Sequence, residues 1–455
     1  MSRRSSARSS FTRRAGSRTD PGASRRLNLK RTVPAALAAS LAFALAAVPA
    51  APAGRANPLD DLARLCRDSR YFELRDAVAR RAGDPSPALD FYRGAVDVAF
   101  TRLGPAVDHL RGCLDGPAGD PAPALARAAR QLLADAYGHA GRYRDAAETL
   151  RTLLDSHGPR PDAAERTALE NRLLLWSALA EVPPQTVEIL GNSVIRMDDR
   201  HIPVGVMGRT LSLGYDTGAN LSILFLSAAD ELGLPLLGPA VKVQSATGRL
   251  VEARATVVPE LRIGEAVVRN AVFLVFPDNF LPPQRFRAEA GRHGLLGAPV
   301  LAALREFTET RDGLFLIPVS PRSRPVQNMC FSGFTPVVEL VHRWVSLPFA
   351  LDTGSGSTIL HPPFLNRYRG EIKGRSEVRT TVVDGVGDAK TVRVRVLDEF
   401  DFKVGGLSLA LLHVPVQEQV TNSCTRLFYG TLGLDILAQC GRMTFNFESM
   451  SFVLE

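Results

Sequence analysis

Three signatures that would fix a chemistry at once are missing from this chain: it has no Cys-x-x-Cys, no His-Glu-x-x-His and no Gly-x-Ser-x-Gly. Its eight histidines are scattered, so no metal-ligand cluster is indicated and a serine or metal hydrolase has no support. No metal and no cofactor are expected. Beyond the first fifty residues no apolar stretch is long enough to cross a bilayer. A basic face is missing too, although the net charge is +8. Residues 1–53 hold ten Arg/Lys and one acidic residue, Asp20, which leaves 45 basic against 46 acidic side chains in the remainder. The excess belongs to the leader, and a nucleic-acid partner is excluded.

That leader has three parts. An Arg/Ser-rich stretch reaches Arg31, an apolar run covers 33–48, and the small residues Ala51-Pro52-Ala53 come next. This order predicts a signal peptide over 1–53 and a periplasmic or secreted product, starting near Gly54. The alternative is retention of the leader as a membrane anchor, but the apolar run is short for a span of about 20 residues. If the leader is cleaved, no stable membrane span is expected.

Residues 54–183 read as an all-α domain. Apolar residues recur at three- and four-residue spacing over 59–78, 88–114, 123–137, 143–154 and 163–179. Gly83-Asp84-Pro85 and Gly116-Pro117 interrupt them. Ala136-Tyr137 followed by Gly141-x-Tyr143-x-x-Ala146 resembles one tetratricopeptide unit, two antiparallel helices meeting at a small residue. The competing description is a generic helical-hairpin bundle. The domain is expected either to pack against the rest of the chain or to capture a protein partner.

After Pro183-Pro184 the pattern becomes short runs of Val, Ile, Leu and Thr between Gly, Pro and Asp turns, which predicts a mostly-β remainder. This part is duplicated. Asp-Thr-Gly occurs at Asp216-Thr217-Gly218 and again at Asp352-Thr353-Gly354, each after an apolar run. Gly294-Leu295-Leu296-Gly297 begins as far beyond Asp216 as Gly430-Thr431-Leu432-Gly433 begins beyond Asp352. Between these landmarks each half has a glycine-bearing turn, Ala246-Thr247-Gly248 and Asp384-Gly385-Val386-Gly387. The period of the repeat is the separation of Asp216 from Asp352.

With these motifs, residues 185–455 resemble the aspartic peptidase superfamily, as two retropepsin-like units fused into a pepsin-like bilobal chain. The resemblance implies a first lobe over 184–320 and a second over 321–455, each a small closed β-structure, with the two Asp-Thr-Gly loops meeting beneath β-hairpin flaps. It implies Asp216 and Asp352 as the catalytic pair, Thr217 and Thr353 as the braces between loops, and Gly218 and Gly354 as the turn glycines. Ser355 is expected to support its neighbouring carboxylate, and Thr247, Gly248, Gly385 and Gly387 to lie on flaps. Asn220 and Gly356 depart from the superfamily pattern, where Ser, Thr or Asp is commoner. The chemistry such a pair can perform is general: two adjacent carboxylates share a proton, the ionised one activating water and the protonated one polarising a carbonyl.

The function expected is therefore an exported aspartic endopeptidase acting on polypeptides. The alternative is a catalytically inactive peptide-binding or scaffold protein working through its helical domain. Of the cysteines, the pairs Cys66–Cys113 and Cys424–Cys440 are expected, with Cys330 free and Cys330–Cys440 as the rival bridge.

Overall fold

Capping and tight turns set the boundaries of the helical part. The computed structural model describes residues 39–40, 59–115, 122–156, 162–245, 247, 249–280, 292–385 and 388–455. Among them the helices are α1 (Asp60–Arg67), α2 (Tyr71–Ala79), α3 (Pro87–Ala99), α4 (Leu103–Asp115), α5 (Pro123–His139), α6 (Tyr143–Asp155) and α7 (Ala163–Ala178), followed by short ones within the β region. Ser86 caps α3 by accepting from the Leu89 N–H, and Asp162 caps α7 by accepting from Glu165. The apolar runs over 59–78 and 88–114 are each split into two helices. Ser69 and Thr101 take left-handed φ values of 53° and 59°, as Gly141 does at 68°. Each break is closed by the same six-residue hydrogen bond: Arg70 N to Leu65 O (2.9 Å), Arg102 N to Asp97 O (2.8 Å) and Arg142 N to Tyr137 O (2.9 Å).

Successive helices pack on one another, α3 on α4, α5 on α6 and α6 on α7. Arg172 of α7 is fully buried and pairs with Asp135 of α5. Burial pushes the Asp135 carboxyl up to about 6, against the pull of Arg172.

From Thr186 the described residues are mostly strand, arranged in three sheets. The two larger sheets repeat one plan. In the first, 294–296 runs parallel to 213–215 and antiparallel to 223–224. In the second, 431–432 runs parallel to 350–351, and 430–431 runs antiparallel to 359–360. The third sheet joins the repeats, in the strand order Ser451–Leu454, Arg442–Asn446, Glu306–Thr310, Leu314–Ile317, Ser193–Arg196. At its centre Thr308 lies opposite Thr444, with hydroxyls 2.8 Å apart, and Phe307 stacks on Phe445 at 4.7 Å.

The helical part touches both repeats. Asn171 Oδ1 on α7 accepts from Lys242 N at 2.9 Å, and the His139 ring stacks on Phe334 at 3.8 Å. The leader lies outside the described residues except for Ala39–Ser40, which pairs antiparallel with Gln244 and Ser245. No helix among the described residues is long and apolar enough to cross a membrane.

The expected disulfides are not formed; all five cysteines are free thiols. Cys424 and Cys440 have separate local partners, the Thr431 hydroxyl at 3.9 Å and the Ile436 carbonyl at 3.5 Å. Cys66, Cys113 and Cys330 are buried as small apolar residues.

The Arg172–Asp135 pair gives a direct test of the helical core. Arg172→Met leaves a buried carboxylate uncompensated and is expected to cost about 3–5 kcal/mol. Arg172→Met/Asp135→Leu is expected to recover most of that loss, as measured by denaturant unfolding.

Candidate active site

Each Asp-Thr-Gly loop is hung from its own sheet by the same backbone bonds. Asp216 N donates to Leu296 O (2.9 Å) and Asp352 N to Leu432 O (3.2 Å). The turns close from Ala219 N to Asp216 O (3.2 Å) and from Ser355 N to Asp352 O (3.0 Å). Behind them Ala298 N donates to Ala219 O (2.8 Å) and Leu434 N to Ser355 O (3.0 Å). Gly297 and Gly433 permit this approach: a Cβ on either would lie 2.5 Å from a backbone carbonyl carbon, that of Leu221 or of Ser357.

The threonines join the two loops. Thr217 N donates to Thr353 Oγ1 (3.0 Å) and Thr353 N to Thr217 Oγ1 (3.1 Å). Each hydroxyl then donates onward, Thr217 to Leu351 O (2.9 Å) and Thr353 to Tyr215 O (3.4 Å). Both threonines are buried.

The carboxyl groups meet across the turn glycines. Gly218 N donates to Asp216 Oδ1 (2.7 Å) and Gly354 N to Asp352 Oδ1 (2.8 Å). A methyl on Gly218 would sit 2.7 Å from Asp352 Cγ, and one on Gly354 would sit 2.6 Å from Asp216 Cγ. Each carboxyl thus lies over the other loop's glycine. Asp216 is wholly buried, whereas Asp352 is half-buried as a residue. Burial, then the neighbouring Asp352 charge, holds the Asp216 carboxyl well above the ordinary range. Burial also raises Asp352, and hydrogen bonds to Asp216, Gly354 and Ser355 work against it.

The remaining sequence candidates divide. The Ser355 hydroxyl donates to Ser357 O (2.8 Å) rather than to Asp352, so Ser355 supports the loop through its backbone alone. Thr247 is buried at the end of the hairpin formed by Leu237–Ser245 and Leu250–Ile263, its hydroxyl 2.7 Å from that of Ser245. Gly385 ends a longer hairpin, paired with Asp388. Gly248 and Gly387 lie outside the described residues. Asn220 is buried and accepts from the Thr335 hydroxyl at 3.4 Å. Among the described residues no group of three His, Cys, Asp or Glu could hold a metal ion.

Sequence reasoning missed two sets of supporting residues. The Ser222 hydroxyl accepts from Gly297 N (3.0 Å), and that of Thr358 accepts from Gly433 N (3.2 Å). Ser222 and Thr358 are separated in sequence as Asp216 and Asp352 are, so the repeat itself could have disclosed them. The second set is Arg200, Tyr215 and Glu309. Arg200 donates to Glu309 Oε1 (2.6 Å) and to Thr353 O (3.2 Å), and the Tyr215 hydroxyl donates to the other Glu309 oxygen. Nothing in the local sequence marks these three.

A comparison with curated proteins finds no match. Solved structures that match include a retropepsin-like aspartic protease from Rickettsia conorii, at 22% identity over 30% of this chain and 94% of that one, with a TM-score of 0.20. That superposition is too loose to carry weight by itself. The family comparison is local: residues 202–300, which hold Asp216 and run into the helix Ala298–Ala303, match the family model described as Aspartyl protease.

Proposed function

We propose that this chain is an exported aspartic endopeptidase in which Asp216 and Asp352 form one catalytic pair. The observation that carries the proposal is the reciprocal hydrogen-bonding of Thr217 and Thr353, which sets the two carboxyls over each other's glycines. With one proton between them, the ionised carboxyl takes a proton from a bound water as it attacks the peptide carbonyl. The protonated one donates to the carbonyl oxygen; as the tetrahedral intermediate collapses, the first carboxyl gives the proton it took from water to the leaving amine and the second recovers its own from the hydroxyl. The charge of Asp352 works against ionisation of Asp216, which separates the two titrations and widens the pH range of the singly protonated pair, while burial of both carboxyls moves that range upward.

The finer architecture belongs to the same proposal. The two repeats are the lobes of one bilobal enzyme, and the helical part is tetratricopeptide-like, a description supported by the turn shared at Ser69, Thr101 and Gly141. Export rests on the basic and apolar order of the leader. N-terminal sequencing of protein recovered outside the cytoplasm is expected to begin near Gly54; a full-length cytoplasmic product would contradict export.

Catalysis is tested with Asp216→Asn, Asp352→Asn and the double variant on a peptide that wild type cleaves. Each single variant is expected to lose about 10²–10⁴-fold in kcat/KM. The double variant should be little worse, because the two groups act as a unit. Substantial residual activity in either single variant would refute a shared centre.

Stability gives an independent check. The Asp216 carboxyl is raised from its ordinary 3.8 in the folded chain, so the folded state holds a proton that the unfolded state releases. The associated stability is complete below about pH 4 and is lost as pH rises through the folded value. Asp216→Asn removes that dependence. Its melting temperature should exceed that of wild type increasingly as pH rises from 4 to 8.

A further inference from the structure

The duplicated site is unequal in its charged groups directly beneath the loops. Strand pairing fixes the equivalence of the two halves: His201 faces Gly214 as Val337 faces Ala350, at the offset that separates Asp216 from Asp352. At that offset the counterparts of Arg200, Tyr215 and Glu309 are Pro336, Leu351 and Phe445. None can carry a charge or donate a side-chain hydrogen bond. The polar cluster is therefore one-sided.

Its reach is specific. Arg200 donates to the carbonyl oxygen of Thr353, which belongs to the same planar peptide as the Gly354 N–H. That N–H is the donor to Asp352 Oδ1. A guanidinium on the oxygen end fixes the plane and polarises the amide, strengthening the N–H as a donor to a negative charge. Arg200 is itself held: Glu309 and Tyr215 are buried, Tyr215 presents its ring 4.9 Å below the guanidinium, and Glu309 accepts from both. Arg200 has a left-handed φ of 65°, a costly conformation for a long side chain.

We propose that Arg200 is a positioning residue which, through the Thr353–Gly354 peptide, makes Asp352 the carboxylate that ionises and leaves the shared proton on Asp216. Asp352, the less buried residue of the two, is then the general base toward water, and the wholly buried Asp216 is the acid. This assignment rests on the peptidase reading above.

Other titratable groups near the pair are accounted for. The Cys424 thiol, in electrostatic contact with Asp352, is pushed up to about 12 by burial and stays neutral. Burial also keeps the Tyr215 phenol neutral and raises the Cys440 thiol beside Glu309. Burial raises Glu309 and also Asp435, which accepts from Thr358 behind the second loop, and it lowers His361, beside Thr431, to about 4, so these three titrate on the acid side along with the pair.

The test compares wild type with Arg200→Met, Arg200→Lys, Glu309→Gln and Tyr215→Phe on one cleaved peptide from pH 3 to 8. Arg200→Met is expected to lower kcat about tenfold with KM nearly unchanged, and to move the acid limb upward by about one pH unit. Arg200→Lys should recover part of both. Glu309→Gln should keep an acid limb, displaced upward, because it loosens Arg200 without creating the limb. A merely structural role would lower the melting temperature and leave the limb in place, and that result would overturn the proposal. So would an acid limb that vanishes in Glu309→Gln. If Arg200→Met does not fold, Tyr215→Phe, which keeps the Arg200–Glu309 pair, should show a smaller shift in the same direction, and no shift would count against the proposal. Carboxyl NMR of the aspartate-labelled chain reads the same order without turnover: Asp352 loses its proton first in wild type, and the preference shrinks in Arg200→Met. Should wild type cleave nothing while that NMR order holds, the peptidase reading fails and the positioning role stands; equal titration of the two in wild type overturns it.

Discussion

Two hydrogen bonds exchanged between Thr217 and Thr353 hold everything else in the site. Each threonine donates its backbone N–H to the other's hydroxyl, and each hydroxyl donates to a carbonyl of the opposite strand, Leu351 O or Tyr215 O. Both donors and both hydroxyls are buried, where leaving one unpaired costs about 1–3 kcal/mol. The loops therefore cannot slide past one another without breaking several bonds at once. That rigidity allows two acidic side chains to be pressed together, a placement that would otherwise relax by separation.

The rest of the β region supports that contact. Glycines at 297 and 433 admit the backbone approach behind each loop, and hydroxyls at 222 and 358 satisfy the amides exposed by it. Thr308 and Thr444 meet in the joining sheet with the same separation in sequence as Thr217 and Thr353. Two threonine pairs, one at the loops and one in the sheet, mark the line about which the repeats are related. The Arg200 cluster breaks this relation on one side only, which a covalently duplicated chain permits and a pair of identical subunits would not.

The sequence is most legible where function forces identical solutions twice. Asp216, Asp352, the threonines and the glycines stand out because the repeat places them at equal distances from Gly294 and Gly430. The change from helix to strand near Pro184 is visible in the switch of hydrophobic period. What escapes a reading of the sequence is decided by conformation rather than composition. Ser69 and Thr101 terminate helices in left-handed geometry without a glycine to announce it. Ser355 turns away from Asp352 to the Ser357 carbonyl, a choice that motif spacing does not encode. Neighbouring helices suggest Cys66–Cys113 and sequence proximity suggests Cys424–Cys440, yet each cysteine is buried or bonded within its own neighbourhood.

The joining sheet also settles how the two halves find one another. Glu306–Thr310 and Arg442–Asn446 are adjacent strands contributed by different repeats, and the chain between them is continuous. Were the halves separate molecules, bringing the loops together would be a second-order event, weakened tenfold by each tenfold dilution. Within one chain the encounter is first-order, at the effective concentration imposed by the connecting segment, on the order of millimolar for a short flexible link. The assembled site is consequently insensitive to how dilute the protein becomes, which is the condition a protein released into a large volume would meet.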